Sequence, residues 1–214
     1  MASRPKQAEP RPQPRLMLFT PVVSDPVTFA GILADALDAA DVAAVVLRLA
    51  TDDERSLINR IKALAPACQQ RNVALLIDGH ADLVARGGAD GAHLTGVETF
   101  GAALERLKPE RIVGCGGLAT RHDAMLAAER GADYVMFGEP DAHGVRSDFA
   151  QVQERVTWWA EVFEAPCVAY AASLGEVAPL VAAGADFVAL DEWALSDETI
   201  RAAASALRLP ERAA

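Results

Sequence analysis

Side chains able to bind ions or move protons sit just past the ends of short apolar runs in this chain. Asp78 and His80 follow Val73-Ala74-Leu75-Leu76-Ile77, and His93 and Glu98 flank Leu94-Thr95-Gly96. His143 and Arg146 come a few residues after Val135-Met136-Phe137, Arg48 follows Val45-Val46-Leu47, and Asp191-Glu192 follow Val188-Ala189-Leu190. Asp78, His80, His93, Glu98 and His143 are oxygen and nitrogen donors, a set suited to zinc or another transition metal if the fold gathers them. Their spacing matches no recognised metal motif, and the plainer reading makes His93 structural and leaves His80 and His143 solvated in loops. His122, at a predicted helix start, is assigned to the surface. Gly114-Cys115-Gly116-Gly117 invites comparison with a nucleotide loop. It lacks the spacing and the ribose-binding acid of that fingerprint, so it reads as a tight strand-to-helix turn.

The elements that must position these groups announce themselves by repetition. Four times an alanine-rich stretch ends at Gly or Ala, an Asp follows, and an apolar run begins: at Ala40-Asp41-Val42, Gly88-Ala89-Asp90-Gly91, Gly131-Ala132-Asp133-Tyr134 and Gly184-Ala185-Asp186-Phe187. Glycine in the left-handed conformation stops a helix, and the Asp starts a short polar turn into a buried strand. The copies lie 43 to 53 residues apart, whereas one strand-helix unit of a barrel takes roughly 25 residues, so each copy marks every second strand. Four further apolar runs fall between them, at Leu16-Met17-Leu18-Phe19-Thr20, Val73 to Asp78, Arg111 to Gly116 and Cys167 to Ala171. Helical stretches are predicted over 26–38, 53–71, 81–87, 100–107, 121–130, 149–163, 174–183 and 197–207. Eight unbroken alternations predict a (β/α)8 TIM barrel, with a doubly wound open sheet as the competitor.

Composition narrows the rest. The chain has 214 residues, 51% of them hydrophobic and 6% aromatic, which suits one domain over residues 16–214 with a core of Ala, Val and Leu. No apolar run approaches the ~18 residues needed to span a bilayer. Residues 1–15 carry four prolines and Arg4, Lys6, Arg11 and Arg15 against Glu9. They read as a disordered tail without the apolar centre of a secretion signal. That tail is basic although the whole chain carries −10, so the folded body is the more acidic part and nucleic acid is not an expected partner. Cys68, Cys115 and Cys167 form no CxxC pair; a reducing, cytoplasmic setting is expected. Cys115, at a strand's carboxyl end, is either a functional thiol or a small core residue. Of Trp158-Trp159, one indole is expected to pack on the barrel and the other to face a subunit contact.

Three phrases carry a family resemblance: Leu76-Ile77-Asp78-Gly79-His80-Ala81-Asp82-Leu83, then Gly88-Ala89-Asp90-Gly91-Ala92-His93-Leu94, then Gly131-Ala132-Asp133-Tyr134-Val135-Met136-Phe137-Gly138. Over residues 73–138 the chain resembles the thiamine phosphate synthase family, which includes the thiazole tautomerase, and the coarser pattern extends over 16–207. The resemblance implies a TIM barrel, commonly a homodimer. It also implies a transferase that joins an aminopyrimidine diphosphate to a thiazole phosphate with release of pyrophosphate, assisted by Mg2+. By the same resemblance Arg48 and Arg146 hold phosphate, as do the backbone amides of Ala171 and Ala172. Asp78 and Glu98 place the magnesium ion. Apart from the resemblance, His93 or His143 is assigned by residue type to donate or accept a proton.

Several positions depart from the family pattern. Of Gln-x-Arg-x-Lys only Arg48 remains; the Asn-Asp of the third strand becomes Asp78-Gly79; and a serine after the fifth strand becomes Gly116. The phosphate loop between the sixth strand and its helix keeps only its final base, as Arg146, and the two cradling glycines of the seventh become Ala171-Ala172. After the eighth strand stand Asp191-Glu192. If both carboxylates face the site they repel phosphate, a like-charge pair 4 Å apart costing about 4 kcal/mol at an effective dielectric near 20. If both face outward they cap the next helix. Two readings follow: a divergent enzyme of the family with a degraded phosphate and magnesium site, or a non-catalytic paralogue that binds a small molecule or a partner protein.

Overall fold

Branched and long apolar residues drive the eight runs into strands, and the alanine-rich stretches between them, capped by polar residues, into helices. The computed structural model describes residues 12–50, 52–141 and 143–208. Its strands are β1 (Arg15–Val23), β2 (Val42–Leu49), β3 (Ala74–Asp78), β4 (Gly91–Thr95), β5 (Ile112–Gly116), β6 (Tyr134–Phe137), β7 (Cys167–Ala171) and β8 (Phe187–Leu190). The helices are α1 (Pro26–Ala39), α2 (Glu54–Gln69), α3 (Val84–Gly87), α4 (Val97–Leu107), α5 (Arg121–Glu129), α6 (Phe149–Val162), α7 (Leu174–Ala183) and α8 (Asp197–Ala206). Each strand pairs in parallel with the next, and β8 pairs with β1 through Leu16↔Val188 and Leu18↔Leu190, closing the ring. Closure decides between the two predicted architectures, since an open doubly wound sheet keeps two unpaired edges.

Side-chain alternation splits the core in two. Met17 and Phe19 point inward to meet Val46, Leu76, Met136 and Val168 inside the barrel. Leu16 and Leu18 point outward into the larger layer beneath the helices. Trp159 of α6 is fully buried in that layer, its indole donating to the Ala165 carbonyl at 2.7 Å, while Trp158 is half-buried under the Arg121 guanidinium. All three cysteines are buried, and burial pushes the Cys115 thiol up to about 12. That makes it a core side chain, not a reactive one. Among the described residues no helix is long and apolar enough to cross a membrane.

The recurrent Asp has a structural job at the amino end of the barrel. The Asp90 amide donates to the Leu75 carbonyl at 2.8 Å, and its carboxylate accepts from the Leu75 amide at 2.8 Å. Asp133 does the same to Val113 at 3.0 and 2.6 Å, and Asp186 to Cys167 at 3.0 and 2.8 Å. Each carboxylate therefore clips an even strand to the odd strand before it, β4 to β3, β6 to β5, and β8 to β7. The first copy differs: Asp41 binds the Arg15 guanidinium at 2.7 Å instead of a strand amide. Gly88 and Gly184 stop their helices with φ of 77° and 102°, as the phrase predicts, whereas α1 ends at Ala40 in extended backbone.

Several boundaries differ from expectation: β1 runs on to Val23 and α4 begins at Val97. The stretch 81–87 is a 3-10 turn over Ala81–Leu83 followed by the single turn of α3. Two adjacent glycines, Gly87 and Gly88, cut it short, and a Cβ at Gly87 would overlap Ile61 of α2. Arg15, assigned by sequence to the tail, is the first residue of β1, anchored by Asp41; residues 1–11 of that tail lie outside the described residues.

Candidate active site

The carboxyl ends of the strands surround a cavity of about 420 Å3, lined among others by Phe19, Arg48, Asp78, His93, Glu139 and Asp191. A second hollow of about 420 Å3 opens beside it over β5 and β6, sharing Thr95, Glu139 and Asp141 and reaching Arg146. A third, of about 370 Å3, lies at the amino end by Gln13, Asp41 and Arg208, away from this chemistry. In barrels of this kind the strand ends and the loops after them carry the reacting groups.

His93 of β4 is buried, 1% exposed, at the floor of the first cavity. Its Nδ1 lies 2.9 Å from the Tyr134 hydroxyl and its Nε2 2.9 Å from Glu139 Oε2. The Tyr134 ring stacks parallel to the imidazole at 5.8 Å, and Phe19 meets it edge-on. Both protonation states are satisfied here. The imidazolium donates to both neighbours, and the neutral ring with its proton on Nε2 accepts from the Tyr134 O–H. Burial opposes the charged ring, but the charge and hydrogen bond of Glu139, with Asp78 behind them, outweigh it and raise the His93 pKa.

Glu139 also accepts a hydrogen bond from the Gly117 amide. The glycines of β5 make this packing possible. A Cβ at Gly114 would overlap the Tyr134 ring, and one at Gly116 would overlap the Glu139 carboxylate. The glycine-rich run after β5 is therefore room for the His93 assembly.

Across the mouth, Arg48 lies over the Phe19 ring at 4.7 Å, and its amide is held by the buried Thr20 hydroxyl at 3.0 Å. Its guanidinium forks onto Asp191, Nη1 to Oδ1 at 2.8 Å and Nη2 to Oδ2 at 3.0 Å, and the Tyr170 hydroxyl donates to Asp191 Oδ2 at 2.6 Å. Burial works against the Asp191 carboxylate, but the hydrogen bonds from Arg48, Tyr170 and the Glu192 amide hold its pKa below the ordinary value. Asp78 is different. Burial raises its pKa against the pull of His93 and Arg48, and its nearest cation, Arg48 Nε, is 3.9 Å away.

Arg146 forms a third assembly. It donates to the carbonyls of Gly138 at 2.7 Å and Tyr170 at 2.9 Å, and to the Glu176 carboxylate at 2.9 Å. Glu176, in the first turn of α7, also accepts from the Ala172 amide at 2.8 Å.

A family model described as thiamine monophosphate synthase matches residues 16–192 of this chain. The chain is 42% identical over 179 residues to the thiamine-phosphate synthase of Rhodospirillum centenum, covering 82% of this chain and 86% of that protein. The chain belongs to the thiamine phosphate synthase family. It is also 36% identical over 206 residues to the thiamine-phosphate synthase of Hyphomonas neptunium, covering 92% and 93% of the two chains. Among solved structures, a thiamine phosphate pyrophosphorylase from Pyrococcus furiosus superposes with a TM-score of 0.74 at 16% identity, over 91% of this chain and 96% of that one. That likeness concerns the fold.

Against the expectations drawn from the thiamine phosphate synthase family, the structure gathers Arg48, Asp78 and His93 at one cavity and sets Arg146 beside the adjoining one. Ala171 is buried at the end of β7, and Ala172 follows it, exposed, with its amide on Glu176. His143 is exposed in the loop before α6, its amide held by Asp141 at 2.8 Å. Glu98 is exposed on the first turn of α4 and does not line the cavity that holds Asp78. His122 is exposed on α5, as expected.

The family implies magnesium, and the residues here do not fit it as aligned. Asp78 stands alone of the assigned pair at the mouth, facing a guanidinium, and magnesium accepts little departure from an octahedron of oxygens. Among the described residues no group of three or more His, Cys, Asp or Glu is placed to hold a metal ion. Of Asp191-Glu192, expected to face in or out together, only Asp191 turns inward, and Arg48 neutralises it; Glu192 is exposed. Sequence reasoning gave no role to Tyr134, Glu139, Tyr170 or Glu176. Their signals were slight: Gly114 and Gly116 spaced to admit two bulky groups, and Ser173-x-x-Glu176, which reads as an ordinary helix cap.

Proposed function

We propose that this chain serves thiamine phosphate synthesis as a divergent enzyme of its family, and that its mouth performs proton transfer on a nitrogen heterocycle. The observation that carries this reading is His93, held between Tyr134 and Glu139 at the cavity floor with both ring nitrogens engaged. General acid–base catalysis needs a group whose pKa lies near neutrality and whose geometry is fixed before substrate arrives. Glu139 raises the His93 pKa against burial, so the folded site favours the protonated ring more than a free histidine does. Glu139 lines both hollows and is hydrogen-bonded to the ring, so a heterocycle entering the first meets the pair and one entering the second meets Glu139.

The finer reaction implied by the family is condensation of an aminopyrimidine diphosphate with a thiazole phosphate. It requires free bases for the phosphates, and Arg48 and Arg146 are both bonded to carboxylates of the chain itself. That bonding supports slow condensation and an acid–base step, of the kind a thiazole tautomerase performs, as the main chemistry. The same bonding favours a second reading, the non-catalytic paralogue.

One experiment separates the three. The protein is incubated in D2O with a thiazole alcohol and, separately, its phosphate ester, each alone and with the aminopyrimidine diphosphate and Mg2+, while deuterium uptake and pyrophosphate release are followed. Deuterium uptake that falls about 100-fold in His93→Gln, equal to some 2.7 kcal/mol, supports proton transfer. Pyrophosphate release without exchange replaces that reading with condensation, and neither signal leaves the paralogue.

A further inference from the structure

Where the family likeness places phosphate, this chain places its own carboxylates. Glu176 bridges two groups from different loops, the Arg146 guanidinium at 2.8–2.9 Å and the Ala172 amide at 2.8 Å, and both charged side chains are about five-sixths buried, at 16% and 17% exposure. Asp191 takes the fork of Arg48 together with the Tyr170 hydroxyl and the Glu192 amide. Guanidinium groups and backbone amides converging on one point are the ordinary receptor for a phosphate oxygen. Here that convergence already ends on carboxylate oxygen.

The geometry is specific to the chain. Glu176 reaches past the start of its own helix to the residue before Ser173, and Ser173 makes no capping bond of its own. Asp191 and Arg48 are 143 residues apart in sequence. The carboxylates left facing the first cavity, Asp78, Glu139 and Asp141, outnumber His93, whereas the second hollow also holds Arg155, which donates to the Leu118 and Ala119 carbonyls; Asp78 accepts no hydrogen bond from the described residues.

We propose that Glu176 and Asp191 are built-in substitutes for phosphate, so that the mouth takes its heterocycle unphosphorylated, neutral or protonated on nitrogen. The ring N–H or amine then donates to Asp78, the acceptor left without a hydrogen bond. A phosphate ester entering the first cavity meets an occupied Arg48 and fixed negative charge. This inference rests on the reading that the substrate is a heterocycle of thiamine phosphate synthesis.

The test is calorimetry on the full chain with three probes: the thiazole alcohol, its phosphate ester, and inorganic pyrophosphate. In the wild type the alcohol binds at least about tenfold more tightly than the ester, a gap of 1.4 kcal/mol, and millimolar pyrophosphate gives no heat. Glu176→Gln, which frees Arg146 without removing the side chain, gains at least about tenfold in pyrophosphate affinity, and Asp191→Asn reads out Arg48 in the same way. A wild type that prefers the ester, or variants whose pyrophosphate binding is unchanged or weaker, overturns the proposal. If neither thiazole binds but the variants gain pyrophosphate, the assignment to thiamine heterocycles falls and the phosphate substitution stands. Should the variants fail to fold, the wild-type preference between alcohol and ester decides by itself.

Discussion

Replacing Asp191 by alanine strands Arg48 in a place built for an ion pair. The guanidinium loses both arms of its fork, at 2.8 and 3.0 Å, and the Tyr170 hydroxyl loses its acceptor at 2.6 Å. Removing one partner of a fully buried pair costs about 3–5 kcal/mol, while an exposed pair contributes only about 0–1. The Arg48 side chain is 25% exposed and Asp191 15%, and Asp78 stands 3.9 Å from Arg48 to take up part of the orphaned charge. The expected loss is therefore intermediate, about 2–3 kcal/mol. At about 2–4 °C per kcal/mol for a chain of this size, Tm falls by about 4–12 °C.

The pH dependence carries the sharper check. The Asp191 pKa is lower in the folded protein than the ordinary value, so its contribution is present above about pH 4, the unfolded carboxylate's range, and disappears as pH falls through the folded value. Thermal melts of wild type and Asp191→Ala from pH 7 down to pH 3 should show a gap that is constant near neutrality and closes in acid. A loss of Tm below about 2 °C at pH 7, or a gap that persists unchanged into acid, would mean that Arg48 is not held by Asp191, and the account of the mouth fails with it.

Three further outcomes are expected. Because the His93 pKa is raised on folding, its stabilising effect is full below about pH 6.5 and is lost as pH rises through the folded value; His93→Phe should narrow the difference in stability between pH 6 and pH 9 seen in urea titrations. Gly114→Ala drives a methyl group into the Tyr134 ring and should cost about 1–3 kcal/mol, with the His93 ring resonances shifting in NMR; unaltered resonances would detach Gly114 from the His93 assembly. Asp186→Ala removes the clip to the Cys167 amide and should cost about 1–2 kcal/mol with no change in ligand affinity; a change in affinity without a change in stability would place Asp186 in the site.

The barrel was legible because its signals are local. Gly184 stopping a helix and Asp186 opening a strand need only neighbours in sequence, and eight such alternations leave few topologies. The positions of Arg48, Asp78 and His93 were legible too, since strand ends in a barrel converge wherever they occur in the chain. Which carboxylate answers which base was not. Asp191 meets Arg48 only when β8 returns to β1, and Glu176 was indistinguishable from a helix cap until the loop before α6 brought Arg146 beside it. The placement of Glu98 follows the same logic: on the outward turn of α4 a carboxylate goes with the helix into solvent, whatever its distance from Asp78 in sequence.

The clips at the amino end sort the barrel into doublets, β1 with β2, β3 with β4, β5 with β6 and β7 with β8. At the opposite end the ion-pairing side chains also cross between doublets, beside the Tyr170–Asp191 bond within the fourth. Arg48 reaches from the first doublet to Asp191 of the fourth and toward Asp78 of the second; His93 ties the second to Tyr134 and Glu139 of the third; Arg146 ties the third to Tyr170 and Glu176 of the fourth. The wall is thus a cask of four double staves, pegged in pairs at the base and hooped across every remaining seam at the rim. Any ligand that pulls Glu176 or Asp191 off its arginine also loosens the hoop, so affinity for such a ligand and rigidity of the rim trade directly against each other.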